Sequence, residues 1–446
     1  MITKSSTKTG VEHLGSAWYT VAILVVAFAL SFVDRMILAL LVDPIRADLG
    51  LSDTQIGLLQ GFAFAIFYVV AGLAIARLAD RHSRRTIIGI GVFFWSIMTA
   101  TCGLTRNFLQ LFLARVGVAV GEAALSPAAF SIIGDSFPRE KLGRAIGVYT
   151  AGGFLGIGLA FLAGGAAIQL VSDASGLEVF GLGKLQPWQL AFMVVGLPGI
   201  LVAALLFTVK EPTRRGMGAE YATKTSIREA AGFAAARWRV FLGLFVGFAL
   251  INVPIATIAS WVPTYFIRVL GYTPPDTARI LGLIVLVLSP AGVVSGGWFM
   301  DRLHQRGVNN GHLRIGLAAA ALLFPLGVLT TLMPRGDLVL ILFGFFVYFG
   351  SVSLALAPAA IQVITPNQLR AQMSGIWLLS TNLITAGLGP TAIGVVTDRV
   401  FADDMAVGQS ISLVNGVAVP LAALFLWSAW HPLKKLVAEQ SVQSTS

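Results

Sequence analysis

Apolar residues run in long stretches along this chain, each broken by a short polar or charged turn. About twelve stretches have the roughly 20 residues a helix needs to cross a bilayer. The pattern predicts membrane helices over 18–42, 53–78, 86–104, 108–133, 142–171 and 188–209 in a first set. A second set covers 238–269, 277–300, 313–333, 338–364, 367–397 and 407–430. A polar interval at 210–237 separates the sets and predicts a linker carrying a short interfacial helix near 226–237. Polar tails cover 1–15 and 432–446, so six-helix bundles are expected at 16–209 and 238–431. The first apolar run is too long for a cleavable signal peptide and has no small-residue cleavage site behind it, so it is expected to stay as a helix.

The second half repeats the first. Asp301-Arg302 ends helix 8 as Asp80-Arg81 ends helix 2, an offset of 221. Leu125-Ser126-Pro127-Ala128-Ala129 in helix 4 is matched by Leu356-Ala357-Pro358-Ala359-Ala360 in helix 10, an offset of 231. Pro138, Gly147 and Tyr149 are matched by Pro366, Gly375 and Trp377, an offset of 228. Three pairs in one order at nearly one spacing imply two bundles related by an axis along the membrane normal. The expected fold class is all-α, with twelve membrane helices in two pseudo-symmetric six-helix bundles.

Composition and charge sharpen this picture. Hydrophobic residues make up 56% and charged residues 12%, about half the usual charged share. The net charge of +10 is a matter of topology rather than of a polyanionic partner. With both termini in the cytoplasm, 22 Lys and Arg fall on the inner side and 7 on the outer, leaving Arg35 and Arg115 inside the membrane. No nucleic acid is expected as a partner; the expected membrane is the plasma membrane, the inner one in a bacterium. The single cysteine, Cys102, excludes an intrachain disulfide and a multi-cysteine metal site.

The candidate chemistry lies in helices 1 and 4. Asp34-Arg35 sits inside the first apolar run, and Arg115 and Glu122 sit inside the fourth. A charge at bilayer centre costs about 2.5–3.5 kcal/mol on insertion scales, so such residues mark function unless they merely pair two helices. With helix 1 running outward and helix 4 inward, Asp34 and Arg115 both lie about 12 Å from the outer ends of their helices. Glu122 follows Arg115 by two turns on the same face, about 10 Å further in. Acid, base and second acid would line one wall if helices 1 and 4 are neighbours. The second half has no counterpart: Asn252, Tyr348, Ser351 and Ser353 stand where charges would be expected.

Helix 2 ends in Ala76-Arg77-Leu78-Ala79-Asp80-Arg81-His82-Ser83-Arg84-Arg85. This resembles the signature loop of the major facilitator superfamily, with Ala76 and Ser83 replacing two small-residue positions and Asp80, Arg81, Arg84 and Arg85 fitting. It predicts a cytoplasmic gate in which these residues work with Asp135, Arg144, Asp301 and Arg302. Within that superfamily, Phe32-Val33-Asp34-Arg35, Leu51-Ser52-Asp53-Thr54-Gln55-Ile56-Gly57-Leu58-Leu59, Arg115-Val116-Gly117 and Gly121-Glu122-Ala123 look like the spinster-like transporters. The resemblance implies a proton-linked carrier moving by alternating access, with lysophospholipids or sphingosine phosphate as substrates in animal members. Carried over by position, Asp34 and Glu122 become the proton-coupling groups, and Arg35 and Arg115 their counter-charges and headgroup ligands.

An apolar wall with one charged cluster suits an amphiphilic, anionic, lipid-like substrate. Phe28, Tyr149, Asn252, Tyr265, Tyr348, Ser351 and Trp377 are the candidate cavity lining. Protons and membrane lipids are the other expected partners, and a monomer is expected. Neither cofactor nor metal is expected. The five histidines fall in tails and loops, so no membrane-plane enzyme site forms, and no Gly-x4-Gly-Lys-Ser/Thr loop marks a pump. A channel would show charged rings or a filter. The competing expectation is a proton-coupled drug or small organic-anion transporter.

Overall fold

The computed structural model describes residues 6–79, 81–172, 177–179, 183–214, 227–308, 310–333, 336–366 and 369–436. Twelve helices among them are long and apolar enough to span a bilayer. They are helix 1 Leu14–Leu40, helix 2 Asp53–Ala79, helix 3 Arg84–Cys102, helix 4 Phe108–Ser136, helix 5 Lys141–Val171 and helix 6 Pro187–Leu206. Helices 7–12 are Trp238–Ser260, Pro274–Leu303, Gly311–Leu332, Gly336–Pro358, Gln372–Phe401 and Asp404–Leu436. The chain is an all-α integral membrane protein. A short helix, Ile227–Ala236, precedes helix 7, and a small antiparallel hairpin, Leu177–Val179 with Gly183–Leu185, lies between helices 5 and 6. The hairpin has no signal in the apolar pattern.

Several helices are interrupted, and most of the interruptions lie close to a proline. Proline removes a backbone N–H and pushes against the carbonyl four residues back. Helix 4 breaks at Ala123-Ala124 ahead of Pro127, so Glu122 ends its first segment. Helix 10 turns 3-10 at Ser353–Ala355 ahead of the matching Pro358. Helix 7 breaks at Asn252 and Trp261, beside Pro254 and Pro263, and continues as Val262–Arg268. Helix 11 widens to a π-helix at Asn382–Leu388, before Pro390. Helix 2 has its own π-turn at Leu58–Phe62.

The helices group into two compact units. The first holds 1–51, 63–217 and 272–286; the second holds 52–62, 218–271 and 287–446. These units follow the sequence halves except at two places. The start of helix 2 groups with the second unit, and the start of helix 8 with the first.

In the first unit, helix 5 packs along helix 1 because its glycines remove side-chain bulk. A Cβ on Gly156 would stand 3.1 Å from the Cα of Ala29. The start of helix 8 also packs on helix 5, at Gly158 and Leu286. In the second unit, Ser52 caps helix 2 in a capping box with Gln55. Asp398 of helix 11 adds a second cap, accepting from the backbone N–H of Thr54 at 2.6 Å and of Asp53 at 3.2 Å. A carboxylate there meets the positive end of the helix dipole. Buried Asp53 pairs in turn with Arg268 at 2.7 Å.

Candidate functional site: a buried charge cluster in the first unit

Helices 1 and 4 are neighbours, and their four ionisable side chains meet. Asp34, Arg115 and Glu122 are each no more than 2% exposed. Helix 3 completes the site, because Gly91 and Gly121 let helices 3 and 4 touch through backbone: a Cβ on Gly91 would lie 2.8 Å from the Gly121 carbonyl oxygen. That approach seats the fully buried Trp95 of helix 3 beside Asp34.

The pairing is asymmetric. Arg35 donates to Glu122 Oε2 from Nε at 2.7 Å, and from Nη2 to the same oxygen. Its guanidinium also lies over aromatic rings, 4.3 Å from the centroid of Phe64 and 5.5 Å from that of Tyr68. Arg115 instead donates from Nη1 to the backbone carbonyl of Asp34 at 3.1 Å. Neither Asp34 carboxylate oxygen has a hydrogen-bond partner among the described residues, nor do Glu122 Oε1 and Arg115 Nε. Buried polar groups are ordinarily satisfied, so unmet capacity on three charged residues in one place calls for an explanation. The charges balance, two acids against two bases, but the hydrogen bonds do not.

Sequence order could not have fixed which base meets which acid. Asp34 and Arg35 are consecutive and point about 100° apart around helix 1. The two arginines make two separate sets of contacts. Arg35 holds Glu122, and Arg115 holds the Asp34 backbone. Trp95, Phe64 and Tyr68 were missed, because aromatics inside apolar runs look the same whether they pack or cradle a cation.

The expected gate residues fall in several places. Asp80 lies outside the described residues. Arg84, only 2% exposed, is the centre of a polar network at the start of helix 3. It bonds to Asp135, to Glu211 at 2.9 Å and to the Ser131 hydroxyl at 2.8 Å. Arg85 donates to the Val209 carbonyl at 2.9 Å. Arg144 lies over the Trp18 ring and Arg302 over Trp298, while Arg81 and Asp301 are exposed. Glu211, read only as part of the linker, proves central. Burial pushes its carboxyl up, but hydrogen bonds from the Arg85 backbone N–H, the Arg84 side chain and the Ser83 hydroxyl outweigh that and hold it below the ordinary carboxylate range.

The candidate lining residues are divided between the units. In the first, Phe28 is half-buried and stacks on the buried Tyr149 with centroids 5.0 Å apart. In the second, Asn252 accepts from the Ser353 hydroxyl and Ser351 donates to Ser289. Tyr265 packs on Phe266, Trp377 on Phe245 and the half-buried Tyr348 on Phe349. Tyr149, Asn252, Tyr265, Ser351 and Trp377 are closed over by neighbours in this conformation.

With this geometry in hand, comparison with known proteins assigns the chain. The model of the Major Facilitator Superfamily matches residues 24–390. The chain belongs to this superfamily of transporters. It is 28% identical over 430 residues to an MFS-type efflux pump of Mycolicibacterium smegmatis, covering 95% of each chain. It is 25% identical to protein spinster homolog 1 of Xenopus tropicalis, over 86% of this chain and 74% of that one. Among solved structures it resembles a bacterial homolog to the human lysosomal transporter spinster, in an inward-facing and unoccupied conformation. The TM-score is 0.78 at 26% identity, covering 95% of this chain and 97% of that one. The facilitator chain is thus spinster-like in both sequence and fold, and the charged residues on helices 1 and 4 lie within the matched span.

Proposed function

We propose that this facilitator is a proton-coupled secondary transporter of an amphiphilic, anionic, lipid-like solute, of the lysophospholipid or sphingosine-phosphate type. It works by alternating access in the plasma membrane, the inner one in a bacterium, with both termini in the cytoplasm. Asp34 and Glu122 take up and release the proton, and Arg35 and Arg115 serve as counter-charges and as ligands for the substrate headgroup. Arg84, Arg85, Asp135 and Arg144 act in the gate on the cytoplasmic side.

One observation carries this reading: a buried carboxylate, Asp34, with no hydrogen bond to either oxygen among the described residues, beside an arginine that donates to its backbone carbonyl. A carboxylate so placed can gain or lose a proton without first breaking a bond. When Arg115 turns from the carbonyl to the carboxylate, or Arg35 leaves Glu122, the preference for the proton passes between the two acids. Gating of this kind needs a differential interaction in the two states, and exchange of arginine partners supplies one.

The test is uptake into proteoliposomes under an imposed proton gradient, with lysophospholipids as candidate cargo. Wild-type protein is expected to accumulate cargo with the gradient, and Glu122→Gln to lose that dependence while retaining cargo exchange. Unchanged gradient-driven accumulation by Glu122→Gln would refute the assignment. A second reading, export of small organic or drug-like anions, is favoured by the similarity to the M. smegmatis efflux pump along almost the whole chain. Stabilisation by small organic anions and not by lysolipids would select it.

A further inference from the structure

A groove opens where helix 7 begins and helix 12 ends, with a volume of about 750 Å³. The two helices meet closely at Gly243. A Cβ on Gly243 would lie 2.6 Å from the Phe425 carbonyl oxygen and 2.7 Å from the Ala429 Cβ, so the two backbones nearly touch. Leu242 and Phe425 line the apolar part of the groove, with Leu242 44% exposed. Trp238, Arg239, His431 and Lys435 line its polar part. The Arg239 guanidinium lies 5.4 Å from the Trp238 ring centroid.

We infer that this groove binds an anionic phospholipid of the surrounding bilayer, with the headgroup against Arg239 and Lys435 and an acyl chain along Leu242 and Phe425. Three features support that occupant. First, the charges are of one sign: no acidic side chain lines the groove among the described residues. Second, the order of chemistry matches a lipid. Phe425 lies ten residues before Lys435, so the apolar wall starts up to about 15 Å below the charged end along helix 12. Third, the groove lies at the ends of two membrane helices, the level at which tryptophan and basic residues meet lipid headgroups. Basic pockets between membrane helices are a common form of headgroup site. The groove lies wholly within the second unit, apart from the charge cluster of helices 1 and 4, so its occupant and the transported solute are separate questions.

The experiment titrates purified full-length protein in detergent with palmitoyl-oleoyl phosphatidylglycerol and reads the thermal midpoint. Phosphatidylcholine with the same chains and glycerol 3-phosphate serve as the other arms. Phosphatidylglycerol is expected to stabilise the protein at lower concentration than phosphatidylcholine, and glycerol 3-phosphate to do nothing. Each basic residue near an anionic lipid is worth about a fivefold change in affinity. The double substitution Arg239→Gln with Lys435→Gln should therefore raise the phosphatidylglycerol midpoint concentration about 25-fold and leave the phosphatidylcholine response alone. Both side chains are exposed, so the fold is expected to survive. Native mass spectrometry of the wild type gives a second readout without a variant: phosphatidylglycerol should remain bound at collision energies that strip phosphatidylcholine. Equal response to the two lipids, an unchanged titration in the double variant, or full stabilisation by glycerol 3-phosphate would overturn the proposal.

Discussion

Arg35 and Glu122 are joined through a single carboxylate oxygen. Two guanidinium nitrogens converge on Oε2, while Oε1 is buried without a hydrogen bond among the described residues. The pair is therefore not the fork-on-fork arrangement that arginine and carboxylate frequently adopt. The Glu122 side chain is 1% exposed and that of Arg35 27%, so removal of either partner has unequal effects. Breaking a buried pair by losing one partner costs about 3–5 kcal/mol. Arg35→Gln should approach that figure, because Glu122 is left with no cation bonded to it. Glu122→Gln should cost less, because Arg35 retains Phe64, Tyr68 and partial access to solvent. Thermal unfolding of the two variants and of the double variant in detergent checks the order.

Asp34→Asn separates stability from function. Among the described residues the carboxylate makes no hydrogen bond that the amide would lose, and the substitution removes a buried charge. The variant is expected to match or exceed the wild type in thermal midpoint and to lose gradient-driven accumulation. A variant both less stable and fully active would show the residue to be structural. Sites tuned for function commonly trade stability in this direction.

Glu211 gives the network at the start of helix 3 a pH dependence of known sign. Its folded carboxyl is held below the ordinary value of about 4.3, so the stabilisation is full above that pH and fades as pH falls toward the folded value. Thermal midpoints should decline on acidification through this range. In Glu211→Gln the part due to this group should vanish, leaving a flatter profile and a lower plateau near neutrality. A steeper decline in the variant would contradict the assignment.

The contact between the start of helix 2 and helix 11 depends on Gly57. A Cβ there would stand 2.8 Å from the Pro390 carbonyl oxygen and 3.1 Å from the Thr391 Cα. Both are backbone atoms, so the strain is not relieved by a rotamer change. Gly57→Ala is expected to cost about 1–3 kcal/mol, as overpacking does, while Gly134→Ala, with open space around it, is expected to cost far less. Comparison of their unfolding midpoints tests this.

Much of the fold was legible because the bilayer forces each span to be long and apolar, and the repeat of Pro127 in Pro358 reported two related halves. Kinks at Pro127, Pro254 and Pro358 follow from the same residues, although their effect on where Glu122 ends a segment shows only in three dimensions. The site was legible as a set, since Asp34, Arg35, Arg115 and Glu122 are conspicuous in apolar runs. Its pairing was not, because adjacent residues on a helix differ in direction by an angle that the sequence does not anchor. Glu211 and Asp398 were overlooked for a different reason: each acts through backbone N–H groups far away in sequence, and nothing local distinguishes such an acid from a solvated one.

Helix 2 and helix 8 each change unit partway along, helix 2 between Phe62 and Ala63 and helix 8 between Leu286 and Val287. The first change follows the π-turn Leu58–Phe62. The second lies where Pro290, four residues on, leaves the Leu286 carbonyl without its helical donor. Two of the places where the chain changes unit thus fall inside membrane helices, each beside a point where the ladder of backbone bonds is loosened. Each of these helices therefore carries a built-in soft turn within one continuous apolar span, where a local bend costs less than it would in an unbroken helix.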